Sequence, residues 1–364
     1  MTVQPPPVPS TRLASIDALR GFDMLWITGG AGVVTALEKW VGGQPGWFST
    51  QLQHVPWEGM RFEDLIMPLF MFLAGVSLPF SVAGRLARNP SKLQLWKHVM
   101  IRVLILWIFG MICQGNLLSY DPAKFKFYSN TLQAIAAGYL IATALHLYAS
   151  LRWQAIATGG LMLATWGLFA WGGNDYSVQN NIAILLDKVV LGSHQDGTPY
   201  AWILASLNFG ATTMLGVFAG RLLRNKKLSG NRKTLWLLAG GTAALALSFA
   251  WMPFHPLIKH LWTGSFVLLS GGLSLLLLAV FYWIIDVRGW KAWSYFFTVI
   301  GVNAITAYML TEIWRMQMIS GPLVNGLKRW VSADPLALIQ ASAALAVLWL
   351  LLWHLHRQKI YLKV

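Results

Sequence analysis

Ten stretches of mostly apolar residues recur along this chain, at roughly 18–37, 62–83, 95–113, 129–148, 153–171, 201–223, 234–252, 263–285, 292–314 and 335–355. An α-helix needs roughly 20 apolar residues to cross the hydrocarbon core of a bilayer. Repetition at that length predicts an all-α, polytopic membrane helix bundle of about ten transmembrane helices. Only 11% of the 364 residues are charged, whereas a soluble domain carries about 25%. One transmembrane domain is therefore expected over 15–364. The preceding residues 1–14 are polar and proline-rich, and they read as a disordered cytoplasmic tail without the basic-then-apolar pattern of a cleavable signal peptide.

The net charge of +15 invites a nucleic-acid reading, but the basic residues lie in short loops between apolar runs and form no contiguous face. They are densest at Arg221, Arg224, Lys226, Lys227, Arg232 and Lys233. That bias places those loops, and with them both termini, in the cytoplasm. Tryptophans such as Trp40, Trp57, Trp153, Trp202, Trp290 and Trp330 fall near the ends of the runs, as interfacial anchors do. Lipids are the expected surroundings, in a bacterial inner membrane. Cys113 is the single cysteine, so no disulfide is expected, and the histidines lack the spacing of metal ligands.

Polar residues inside apolar runs are costly and mark sites or packing contacts. Asp17, Arg20 and Asp23 share one flank of the first helix, as a salt-bridge cluster or as part of a polar cavity. Arg20 also has the planar guanidinium suited to a phosphate. Arg102 either snorkels to the interface or faces the bundle and holds an anion. Gln133 and Asn303 are amides at membrane depth, either interhelical glue or cavity lining; Asn303, Thr306, Tyr308 and Glu312 make the ninth helix polar enough to line a cavity. Gly216 and Gly220 form a small-residue pair suited to close helix contact. His54 sits in a long outer loop, 38–61, just ahead of the second helix, and imidazole is the natural proton-transfer group near neutral pH. Glu63 and Asp64 open that helix. Acids suit its positive end, and one of them could instead orient His54.

These residues resemble a known family. Ser15-Ile-Asp17-Ala-Leu-Arg20-Gly21-Phe-Asp23-Met looks like the opening signature of transmembrane acyltransferases related to heparan-α-glucosaminide N-acetyltransferase. The block His54-x-x-Trp57-x-Gly59-x-x-x-x-Asp64-Leu-x-x-Pro68-x-Phe70-x-Phe72-x-x-Gly75-x-Ser77 is its most specific part. Leu132-Gln133-x-Ile135 and Gly301-Val-Asn303-x-Ile305-x-x-Tyr308 are weaker matches, and the pattern departs from the family at Ala31 and Ala134, where Asn and Arg are usual. The chain also looks similar to bacterial members encoded with N-acetylglucosamine-utilisation genes, some of them labelled transporters.

The resemblance implies acetyl-CoA as cytoplasmic donor, an amino-sugar or saccharide acceptor on the far side, no metal, and His54 as the active-site histidine. On that footing Arg20, Arg102 or loop lysines would hold the phosphates of coenzyme A, with its arm passing Gln133 and Asn303. Asp64 would orient His54, which acts as general base or carries the acetyl group. An amino-sugar transporter is the competing reading. A second copy of the chain is a further candidate partner, whereas nucleic acid is not.

Overall fold

The computed structural model describes residues 13–314 and 316–362. The expected 1–14 tail lies outside the described residues up to residue 12. The remainder is helical: α1 (Ala14–Leu25), α2 (Ala31–Gly42), α3 (Trp47–Gln51), α4 (Phe62–Arg88), α5 (Lys92–Cys113), α6 (Thr131–Tyr148), α7 (Leu151–Trp171), α8 (Ile182–Leu191), α9 (Ala205–Arg224), α10 (Gly230–Trp251), α11 (Gly264–Tyr282), α12 (Tyr295–Val302), α13 (Ala304–Ile313), α14 (Met316–Val324) and α15 (Ala333–Arg357). Among the described residues there is no named strand, and Glu58 with Ile258 makes an isolated antiparallel bridge.

A helical segment stands over each of the ten apolar stretches. Six are long and apolar enough to cross a membrane by themselves: α4, α5, α6, α10, α11 with its π-helical extension to Val287, and α15. The segment Ala292–Val302 and α13 pass as a seventh only when joined, across a 62° bend. The first stretch is interrupted as well. A π-helical turn at Trp26–Gly30, with Gly29 at φ 142°, separates α1 from α2. Only glycine holds such a φ without strain.

Local chemistry sets the ends. Ser91, Asn130, Ser150, Asn181 and Ser229 each accept a backbone N–H in the first turn of the helix they open, the standard satisfaction of orphaned amides. The centre of the bundle is α4 packed on α9. A Cβ on Gly216 would come within 1.9 Å of the Phe72 carbonyl oxygen, and one on Gly220 within 2.3 Å of that of Val76. The small-residue pair therefore serves backbone-to-backbone contact. Gly21 and Gly301 bring α1 equally close to α12. Around this centre α5, α10 and α15 present exposed Leu104, Ile108, Trp236, Leu247 and Leu350, the surface a helix offers to lipid tails.

Candidate active site

Loop 38–61 does not hang free. Glu38 caps α3 by accepting N–H groups from Gly46, Phe48 and Ser49. The chain then runs to Arg61, the N-cap of α4. Asp64, three residues on, is buried. Its Oδ2 accepts the N–H groups of Arg61 and Val55, each at 3.1 Å, so the carboxylate closes the helix start and fixes the loop that carries His54. Its Oδ1 meets His54 Nδ1 at 2.9 Å.

A second segment, 252–263 between α10 and α11, completes the arrangement. The Glu58–Ile258 bridge and the Gly59 N–H to Leu257 carbonyl bond of 2.8 Å pin it to the His54 loop. Trp57 stacks on His260 with ring centroids 5.2 Å apart. This delivers Lys259, 3% exposed, between the two site residues: its Nζ lies 3.1 Å from Asp64 Oδ1 and 3.2 Å from His54 Nδ1. Burial pulls the Lys259 ammonium below its ordinary range, opposed by the Asp64 charge. Burial and the neighbouring Lys259 bring His260 down to about 4, so its ring is neutral.

His54 and Lys259 form one edge of a cavity of about 530 Å³. One wall is apolar, with Met24, Ile27, Ile66, Met67 and Phe70. Another is aromatic: Tyr200 and Trp202 line it, and behind them Tyr128 stacks on Trp202 at 5.2 Å. The rim is polar, with Asn116, Lys126, Asp196 and Thr198. Asp196 accepts from Trp202 Nε1 and Thr198, which holds the rim in shape. From α13, Ile305, Tyr308 and Glu312 line the cavity, as the polarity of that stretch suggests. Apolar walls with a few convergent polar groups are the usual makeup of a small-molecule site. The imidazole is half exposed and turned toward this space, with its Nδ1 occupied. Nε2 is thus the nitrogen left to exchange a proton.

The other residues singled out from sequence lie elsewhere. Arg20 donates to Ser77 Oγ at 2.9 Å and pairs with Asp17 at 3.5 Å. On α4 the cavity lining runs from Glu63 to Phe70, about 10 Å of helix, and Ser77 is about 10 Å farther along. Arg102 lies over the Tyr139 ring at 4.4 Å. Gln133 is fully buried, and its amide is spent on the start of α6: Oε1 accepts from Ser129 and Asn130, and Nε2 donates to the Phe127 carbonyl. Asn303 sits at the break between α12 and α13 with both amide atoms buried and unpartnered. None of these four lines the cavity. Lys259 was missed in the sequence, where it counts only as one more loop lysine; the sole signal is a lysine flanked by His255 and His260 just ahead of an apolar helix. Among the described residues no group of three His, Cys, Asp or Glu is placed to hold a metal ion.

Comparison with known proteins agrees with the family resemblance read from the sequence. The chain is 26% identical over 419 aligned residues to human heparan-alpha-glucosaminide N-acetyltransferase, covering 97% of this chain and 60% of that protein. It is 25% identical over 426 residues to the mouse protein of the same name, covering 98% and 62%. The chain thus spans about 60% of the length of the curated relatives it matches. No family model matches it. The family resemblance in the sequence is borne out: the chain is a homologue of these acetyltransferases over nearly its whole length.

Proposed function

With that kinship as premise, we propose that the chain is a transmembrane acetyltransferase, moving an acetyl group from cytoplasmic acetyl-CoA to an amino sugar on the far side of a bacterial inner membrane. The observation that carries the reading is the His54–Asp64 pair at 2.9 Å on the edge of a cavity that enters the bundle. In this reading the chain crosses the membrane ten times with both termini cytoplasmic, and the aromatic and polar rim faces outward. Arg20 and Arg102 attract the donor's phosphates on the inner side. Gln133 shapes the passage by holding the start of α6, and Asn303 offers an unpartnered amide at the break beside it.

The chemistry then needs little else. With Nδ1 donating to Asp64, His54 Nε2 takes the proton of the acceptor amine as its nitrogen attacks the thioester carbonyl. The carbon–sulfur bond breaks, and the departing thiolate takes that proton from the imidazolium. In the two-step variant Nε2 itself attacks the thioester carbon, the carbon–sulfur bond breaks to release the thiolate, and the acetyl-imidazolium then acylates the amine, whose proton passes through the freed imidazole to the thiolate. Either route needs the thioester to cover the remaining depth between Ser77 and Phe70, past Met24, Ile27 and Met67. Exclusion of water by those side chains protects it from hydrolysis.

A second reading, an amino-sugar transporter, draws on the 62° break at Asn303, because discontinuous spans with buried polar groups build substrate sites in transporters. One experiment separates the two. Purified protein in lipid vesicles is given acetyl-CoA inside and glucosamine outside. Acetylated product that is lost in His54→Ala supports the transferase. Sugar flux that ignores acetyl-CoA and survives His54→Ala refutes it.

A further inference from the structure

Glu63 and Asp64 are neighbours in sequence with opposite surroundings. The Asp64 carboxylate meets the Arg61 and Val55 N–H groups, His54 Nδ1 and Lys259 Nζ. Glu63 lines the cavity, and among the described residues no hydrogen bond or ion pair reaches its carboxyl group. Its Oε2 is sealed from water all the same. A buried carboxyl oxygen without a partner costs free energy until a donor or a cation fills it. The nearby cations are engaged elsewhere: Lys259 on Asp64, and Arg61 on the His54 carbonyl at 3.1 Å. Asp23 adds to the deficit. It is 1% exposed, both its carboxyl oxygens are buried without a hydrogen bond, and Glu63 is among the charges that act on it. Two carboxyl groups within electrostatic reach of each other draw a cation more strongly than one.

We propose that Glu63 takes the ammonium group of the acceptor, and so selects an amine over a hydroxyl at this point of the cavity. A primary ammonium is a compact charge with three N–H donors, and its hydrogen bonds to a carboxylate are charge-assisted. A sugar with a hydroxyl in place of the amine offers Oε2 one neutral hydrogen bond and leaves the charge unanswered. An N-acetylated sugar offers no cation either, which favours release of the product. The cavity of about 530 Å³ has the size of a small-molecule site, and the apolar Met67 and Phe70 continue the same helix beyond Glu63. Because Glu63 and Asp64 open that helix together, a nitrogen held by Glu63 stands on the side of the cavity where His54 is. Glu312 brings a further carboxyl group to the lining, from α13, and it is the alternative that the test must separate. The proposal deepens the amino-sugar reading and rests on it.

The test measures binding to the full-length protein in detergent, without acetyl donor, by isothermal titration calorimetry. Glucosamine, glucose and N-acetylglucosamine are the probes. Wild type should bind glucosamine about tenfold more tightly than either neutral sugar, the difference between a charge-assisted and a neutral hydrogen bond. In Glu63→Gln that preference should fall to within about twofold, with glucose bound as in wild type. Glu63→Leu gives the same reading if the Gln variant does not fold. A wild type without the preference overturns the proposal. So does a preference that persists in folded Glu63→Gln, or one that is lost in Glu312→Gln instead. Sodium chloride that displaces glucosamine at equal concentration would make this a site for simple cations and overturns it too. An amine preference that follows Glu63 in a protein without acetyl transfer would sink the transferase reading and leave this one standing. Acetyl transfer to glucosamine with an unchanged KM in Glu63→Gln would do the reverse.

Discussion

Asp64→Asn is the most informative single change, because the carboxylate does four things at once and an amide can do only some of them. Oδ2 takes two backbone N–H groups, and Oδ1 takes Lys259 and His54. An asparagine must choose. With its oxygen toward Arg61 and Val55, its NH₂ faces the Lys259 ammonium and the His54 ring. The lysine loses its partner while 3% exposed, and Nδ1 becomes an acceptor, which leaves Nε2 protonated. With the amide reversed, the NH₂ faces two N–H donors and the start of α4 loses its closure. Removing one partner of a buried ion pair costs about 3–5 kcal/mol. Losing the base through the wrong tautomer costs a further factor of about 10²–10⁴ in rate. The assay is acetyl transfer from acetyl-CoA to glucosamine at several pH values, beside a thermal melt of the same preparation. A variant within about threefold of wild-type rate would refute the claim that Asp64 sets the His54 tautomer, since the expected loss is at least about a hundredfold.

Two further outcomes follow from the frame of the molecule. Gly216→Ala places a methyl group where the Phe72 carbonyl stands, with 1.9 Å between them; the melting temperature should drop, by overpacking of about 1–3 kcal/mol or more, and an unchanged melt would mean that α4 and α9 do not pack as described. Asp187, outside the candidate spans, is raised to about 6 because burial outweighs the N–H groups of Trp202 and Ile203 that it accepts. A carboxyl raised on folding stabilises most below its unfolded value, and that stability is lost as pH climbs through the folded one. Wild type should therefore lose stability relative to Asp187→Asn between about pH 4 and 6, and parallel melts across that range would contradict it.

The helical segments were legible because bilayer thickness imposes a length that composition alone reveals. The interruptions were not: the π turn at Trp26–Gly30 and the break at Asn303 depend on what neighbouring helices allow. His54 and Asp64 lie close in sequence, and a helix N-terminus brings acids at its third position back toward the preceding loop, so their meeting could be reasoned from spacing. Lys259 lies 195 positions from Asp64, and nothing local marks it. Its delivery depends on backbone pairing and a ring stack between two irregular segments. Gln133 illustrates the opposite failure: an amide at membrane depth suggests a ligand, yet its bonds all go to closing a helix start. Sequence shows which polar groups are inside, and only geometry shows which are already spoken for.

The bridge between Glu58 and Ile258 has a consequence for how the protein comes into being. His54 and Asp64 are synthesised before Lys259, which emerges only after six long helices, counting α4, and the short α8 have been made. Until then the Asp64 carboxylate has the imidazole but no ammonium, and the cavity lacks the edge that the later segment supplies. A nascent or truncated chain therefore carries the His54–Asp64 pair without its final charge balance. The charge balance around Asp64 is complete only with the segment between α10 and α11 in place.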